Sequence, residues 1–340
     1  MIWPQRQIET IATLGYTETE ARFLYLVATH SGYFTLRHFL VFSGAHRGKR
    51  STSFAQKLLH HGHASVRDYM GTGSVWHLFS RNLYGVIEKE NIRNRRRHSF
   101  DYIRTRLVLL DFVLENLALH FLETEQDKVR FFCETLAVPK DILPAKVYEG
   151  GPQSRPTLRH FVDKFPLFVE PSVSSLPPVA TFSYVDSGAA SLAGFGAHLA
   201  AYQGLFRYLN AFRFVYIAPK PTSFHRAEIR FRSFVKEPLE SEVSNEVLRY
   251  FAVRKKWECH EYVVPVTDDL EFLADAKHRF EGERFETLYR LWRAGDAEEG
   301  QVRAEFAQTT PARRASFDTY LIRNTHSPLD EIRKRHVNAV

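Results

Sequence analysis

Cysteine is nearly missing from this chain. Cys133 and Cys259 are the only two in 340 residues. They lack metal-ligand spacing and cannot build a disulfide framework, so a reducing cytoplasm is the expected setting. Long apolar runs are missing as well. No stretch approaches the ~18 residues that a membrane-spanning helix needs, and the N-terminal MIWPQRQIET has no apolar core of the signal-peptide kind. A membrane partner is therefore not expected. Several catalytic signatures are also absent. There is no G-x-x-x-x-G-K-[ST] phosphate loop, and SLAGFGAHLA (191–200) is not a dinucleotide fingerprint. Ser187, Gly188 and Ser191 lie near Asp186 without a G-x-S-x-G elbow. Internal repeats and low-complexity segments are lacking too.

What is present is an ordinary globular composition, 44% hydrophobic and 25% charged, long enough for two or three domains. The net charge of +7 is unevenly placed: residues 1–106 hold 16 Lys and Arg against 7 Asp and Glu, and the remainder 30 against 32. The whole basic excess thus sits at the N-terminal end, which favours a polyanion partner there. The 28 Phe and 15 Tyr are read chiefly as core filling; the functional alternative is exposed rings stacking on bases.

The N-terminal stretch patterns as helix, helix, helix, hairpin. Residues 18–31 place Ala21, Leu24, Tyr25 and Ala28 at helical spacing, with Thr17 and Glu20 forming a capping box. Thr35 starts a short second helix with Leu36, Phe39 and Leu40 on its apolar face, closed by Gly44. A basic connector leads into a third helix near Ser51–His61, with Phe54 and Leu58 inward. Strands at 64–69 and 75–79 flank a glycine-containing turn, Met70 to Ser74, and a short helix follows at 82–89. Residues 91–106, with Arg93, Arg95, Arg96 and Arg97, are strongly basic and enter a helix expected from about 98 to 121.

Beyond residue 122 the pattern changes. Asp127 to Glu134 reads as a strand, 139–156 as loop, and 161–169 as a strand or hairpin. Strand 179–186, helix 190–209, strand 212–219 and helix 223–235 imply a crossover and a parallel strand pair. The last hundred residues read mainly as helical, with Leu270 to Arg293 interrupted at Gly282, then a polar linker at 294–314 and a frayed tail.

The order of these N-terminal pieces, with the basic helix GKRSTSFAQKLLHHGHA and the hairpin VRDYMGTGSVWHLF, resembles the winged-helix module of replication-relaxation-type proteins of bacterial mobile elements. TFSYVDSG followed by FGAHLAAYQGLF is similar to the α/β domain of that family. The resemblance covers about residues 15–235 and implies DNA binding in replication, transfer or regulation of a plasmid or integrative element. The α/β stretch resembles, more loosely, the core of restriction-type nucleases. That chemistry needs carboxylates for Mg²⁺ and an acid-x-Lys. Asp163, Glu170 and Asp186 are the only candidates; Lys164 has the wrong spacing.

These readings converge on a mixed α/β protein: a winged helix-turn-helix domain (1–90), a basic linker helix (91–121), an α/β domain (122–236) that resembles a degenerate nuclease, and a mainly helical C-terminal region (237–340). The expected partner is double-stranded DNA, with a homodimer or a replication or transfer protein as a further partner, in the nucleoid. Arg47, Lys49 and Lys57 are expected on phosphates, together with Ser51. Arg50, Ser53 and Gln56 are expected on base edges, because Arg pairs with guanine and Gln with adenine. Arg67 and Arg81 flank the wing, and Arg95, Arg96 and Arg97 are expected on the backbone. No metal or cofactor is expected unless the chain is a nuclease, which would take Mg²⁺. His60, His61 and His63 are not expected to converge as a metal site, since successive helical positions face different ways. The rival readings are a metal-dependent nuclease and a protein-interaction module that uses the winged helix.

Overall fold

The computed structural model describes residues 3–46, 48–69, 73–90, 92–149, 157–162, 165–169, 178–188, 192–236, 242–261, 267–280, 282–307 and 314–323. It is a mixed α/β structure. The chain runs α1 (Gln5–Ala12), α2 (Glu18–His30), β1 (Tyr33–Phe34), α3 (Leu36–Ser43), α4 (Lys49–His60), β2 (Ala64–Tyr69), β3 (Gly73–Leu78) and α5 (Arg81–Val86). A 3₁₀ turn, Arg93–Arg95, leads to α6 (Phe100–Glu115), β4 (His120–Phe121) and α7 (Glu125–Arg130), which continues as a π-helical turn, Phe131–Thr135. Next come β5 (Ala145–Tyr148), β6 (Thr157–His160), β7 (Phe168–Val169), β8 (Ala180–Val185), α8 (Leu192–Ala201), α9 (Gln203–Tyr208), β9 (Ala211–Ala218) and α10 (Phe224–Lys236). The rest is α11 (Glu242–Glu258), α12 (Thr267–Arg279), α13 (Glu283–Ala294), α14 (Glu299–Ala307) and β10 (Arg314–Leu321).

Local chemistry accounts for the N-terminal helices. The Glu20 amide donates to Thr17 Oγ1 at 3.3 Å and the Thr17 amide to Glu20 Oε2 at 2.8 Å, the expected capping box. Gly44 ends α3 in the left-handed region, at φ 62°. β3 pairs antiparallel with both β1 and β2, giving the order β1-β3-β2. Phe23, Phe34, Phe39 and Phe54 fill the centre, and the Phe39 and Phe54 rings stack at 4.1 Å.

The larger sheet has the order β10-β9-β8-β7-β4. β8 and β9 are parallel, as the strand–helix–strand pattern requires, while β7 is antiparallel to both β8 and β4. Five expectations need correction, the first being the loop expected over 139–156, which holds β5 paired with β6. The segment 127–134 is helical, because Thr124 and Asp127 form a capping box that outweighs the strand propensity of Phe131 and Phe132. The helix expected over 190–209 is broken at Tyr202 into α8 and α9. The polar stretch expected as linker contains α14, and the strand β10 follows it. The helix expected over 98–121 stops at Glu115, and β4 occupies its last positions.

The chain divides into two units, one holding the described residues of Met1–Arg230 with those from Ala315 on, the other those of Phe231–Arg314. Within the first, residues 91–121 are no free linker. Leu107 to Val113 of α6 are buried, and one continuous core runs from Ile8 through Phe112 to Phe168, Val215 and Ile322. The smaller unit has its own core of Val247, Phe251, Ala276, Phe280, Tyr289 and Val302. Gly282 separates α12 from α13 there, as its position in the sequence predicts.

Candidate functional site

α4 presents a polar, cationic face. Lys49, Arg50, Thr52, Ser53, Gln56 and His60 are exposed at helical spacing, with the exposed Leu59 at the edge of the face beside Thr52, while Phe54 and Leu58 are buried on the opposite side. No residue of α4 is acidic. Lys49 and Arg50 occupy its first turn, where the helix dipole is positive and carboxylates are the favoured residues. Two cations at that end raise the local potential, and the first N–H groups of a helix point the same way. The arrangement suits an anion.

Two of the expected contacts are committed elsewhere. Ser51 is turned inward, and its hydroxyl donates to the Gly48 carbonyl at 3.0 Å, closing the start of α4. Lys57 is half-buried and pairs with Glu20 Oε2 at 2.8 Å, tying α4 to the capping box of α2. Arg47 lies outside the described residues. Arg67 is exposed on β2 opposite Val75, and Arg81 is exposed at the first position of α5.

The basic segment after α5 is pinned in place. Asn94 is buried and its amide donates to the carbonyls of Ala28 and Thr29 at 3.0 and 2.9 Å. The Tyr33 hydroxyl donates to the Arg96 carbonyl and accepts from the His98 amide, both at 3.1 Å. His77 stacks on Tyr33 with centroids 4.4 Å apart, and its Nε2 meets the Asn94 carbonyl at 3.2 Å. Burial lowers the His77 pKa to about 4, against the smaller opposing effect of that carbonyl. Arg96 and Arg97 are left exposed on a fixed backbone, whereas Arg95 is half-buried.

The carboxylates considered for a nuclease do not assemble among the described residues. Asp163, Lys164 and Glu170 lie outside them. Asp186 directly follows β8 and is buried; its Oδ1 accepts from the Gly188 amide and its Oδ2 from the Tyr216 hydroxyl, each at 2.8 Å. Its carboxylate helps hold the Tyr216 hydroxyl protonated, after the larger effect of burial. Among the described residues no group of three His, Cys, Asp or Glu could hold a metal. His60 and His61 are exposed, while His63 is buried, with its Nδ1 2.8 Å from the Tyr16 hydroxyl. His198 and Tyr202 share a buried face, with rings 4.9 Å apart.

Sequence reading missed a buried polar cluster. Lys89 Nζ donates to Glu123 Oε2 at 2.8 Å, to Thr29 Oγ1 at 2.7 Å and to the Tyr25 hydroxyl at 3.0 Å. Tyr25 donates to the same Glu123 oxygen at 2.5 Å. Lys89, Glu123 and Thr29 line a cleft of about 1440 Å³, together with His30, Arg106, Arg159 and His160. Burial lowers the pKa of His30 to about 4 and pulls that of Lys89 below the usual lysine value. No local motif marks this cluster, because Lys89 and Glu123 stand 34 positions apart.

No helix among the described residues is long and apolar enough to cross a membrane. Comparison of the chain with family models, with curated proteins and with solved structures finds no match.

Proposed function

We propose that this chain binds double-stranded DNA through its N-terminal residues, which form a winged helix with α4 as the recognition helix. One observation carries the reading: the exposed residues of α4 are Lys49, Arg50, Thr52, Ser53, Gln56, Leu59 and His60, without a single acid. The element order helix, strand, helix, helix, strand, strand from α2 to β3 and the sheet order β1-β3-β2 support it. α4 enters the major groove with its N-terminal residues nearest the bases. Lys49 binds phosphate, and Arg50, Ser53 and Gln56 read base edges. Arg67, Arg81, Arg96 and Arg97 extend the contact along the backbone.

The resemblance to replication-relaxation-type proteins extends the proposal to replication, transfer or regulation of a mobile genetic element, with a second copy or a replication or transfer protein as a further partner. Cleavage is no part of the proposal, in which Asp186 serves as acceptor for the Tyr216 hydroxyl and the Gly188 amide.

A gel-shift titration of random duplex at two salt concentrations, with and without Mg²⁺, tests the reading. Binding that weakens steeply with salt supports it. Absence of binding at low salt removes it, and Mg²⁺-dependent cutting would make the chain an enzyme.

A further inference from the structure

Helix α10 carries a second cationic face. In the part of α10 that belongs to the larger unit, His225, Arg226, Ile229 and Arg230 are exposed and Ala227 is buried. The exposed arc contains no carboxylate; Glu228 lies towards its edge and is half-buried. This face lies outside the N-terminal stretch that holds the chain's basic excess, so overall charge does not account for it. Arg226 and Arg230 are one turn apart, ~6 Å along the axis. Like charges at that spacing destabilise a helix unless an anion lies against them. Arg226 and Arg230 make no ion pair among the described residues.

Arg230 also packs against a neighbouring helix. Its guanidinium lies against the backbone of α8, where an ideal Cβ built on Gly196 would come within 2.6 Å of Nε and 2.8 Å of Cζ. Glycine at 196 leaves room for the charged head. Lys220, exposed at the start of the 3₁₀ turn Pro221–Ser223 that leads into α10, adds a further cation.

We propose that this face of α10 is a second nucleic-acid contact, with Arg226 and Arg230 each neutralising one backbone phosphate. The inference rests on the DNA-binding reading above. The chemistry of the face favours phosphate over the alternatives. A protein interface needs a desolvated apolar centre, and a membrane surface needs several apolar side chains, whereas Ile229 is the only large apolar residue exposed in this arc. Guanidinium groups are what phosphate contacts are made of.

The test uses the full chain and fluorescence anisotropy with a random-sequence duplex, titrated between about 50 and 200 mM salt. Arg226→Ala/Arg230→Ala is expected to weaken binding and to flatten the plot of log K against log salt by about 2, at roughly 0.9 per phosphate. Arg226→Lys/Arg230→Lys should restore the slope. If the Ala pair lowers the melting temperature, Arg226→Gln/Arg230→Gln replaces it, since it keeps the methylene stem and a polar end while removing the charge. An unchanged slope in a folded, charge-deleted variant, beside a wild type whose binding Lys49→Ala weakens, would overturn this inference alone. A wild type that binds no duplex would overturn the DNA reading and this inference together.

Discussion

Lys49 and Arg50 stand where the electrostatics of a helix favour acids, and Gln56 follows on the same exposed face. That placement gives the residues separable roles. Arg50→Ala or Gln56→Ala is expected to lower affinity for a preferred site by about 1–3 kcal/mol and leave random duplex nearly unaffected. Lys49→Ala should weaken all duplexes alike and flatten the salt slope by about 1. Competition titrations with specific and random DNA separate the two; equal losses for Arg50→Ala would show that it reads no base. The buried histidines make a different prediction. Burial holds His30 and His77 near pKa 4, while the unfolded chain protonates them near the ordinary value of 6.5. Above 6.5 both states are neutral there and the stability tied to these groups is fully present. As the pH falls from 6.5 to 4 the unfolded state takes up the protons first, so stability declines, by at most about 3 kcal/mol for each group. His77→Phe keeps a ring against Tyr33 and removes one titration. Denaturant melts at several pH values should show a shallower decline for it, and an identical decline would acquit His77.

At the scale of elements, the end of α2 is the most constrained junction. Arg106 donates to the carbonyls of His30 and Ser31, and Asn94 to those of Ala28 and Thr29, so the last turn is closed from two sides. The chain leaves through Gly32 at φ 79°, where an ideal Cβ would lie 2.9 Å from Asn94 Cβ and overlap its carbonyl. Gly32→Ala therefore combines a left-handed backbone with a clash, and is expected to cost about 2–4 kcal/mol in chemical denaturation; a loss under about 0.5 kcal/mol, typical of surface changes, would mean the junction yields freely. Asn94 also fixes the segment that carries Arg96 and Arg97. Arg96→Gln/Arg97→Gln should weaken DNA binding and flatten its salt slope while the melting temperature stays put, and an unchanged slope would make these arginines a solvated surface. The helices α2, α3 and α4 were readable in advance because their signals are local: Thr17 with Glu20, glycine at 44, and apolar residues at helical spacing. The exposed face of α4 followed from the same periodicity. The roles of Ser51 and Lys57 did not, because one depends on the backbone turn at Gly48 and the other on Glu20, 37 positions away. Phe131 and Phe132 invited a strand reading that the Thr124–Asp127 box overrode, and β10 was hidden because its neighbour β9 lies about a hundred residues earlier.

Across the whole molecule, the expected modular chain gives way to a larger unit with a shared core. Phe112 of α6 packs edge-on to Tyr320 at 4.9 Å and lies 5.9 Å from Phe168, so the helix that follows the basic segment is also a wall of the five-stranded sheet. His38 of α3 and Asp111 of α6 meet at 3.0 Å with both side chains fully buried, and Lys89 reaches Glu123 across the same unit. Such links fix the N-terminal helices to the sheet, so the face proposed to bind DNA would be presented by the whole unit. The last strand belongs to this unit despite its place in the sequence. Tyr320 donates to Glu115 and accepts from Asn116, each at 2.9 Å, the Ile322 amide donates to the Ala218 carbonyl at 3.0 Å, and the Ile322 side chain is buried. Truncation before Arg314 removes these contacts and bares one edge of β9. It is expected to destabilise the larger unit by about 3–5 kcal/mol, the scale of deleting a large buried side chain. The smaller unit, with its own core around Phe251 and Tyr289, should be left as it was. Calorimetry of the full chain should show two transitions, of which the truncation lowers only the one that also responds to Gly32→Ala. A truncation that lowered the other transition, or neither, would place β10 outside the unit that presents α4.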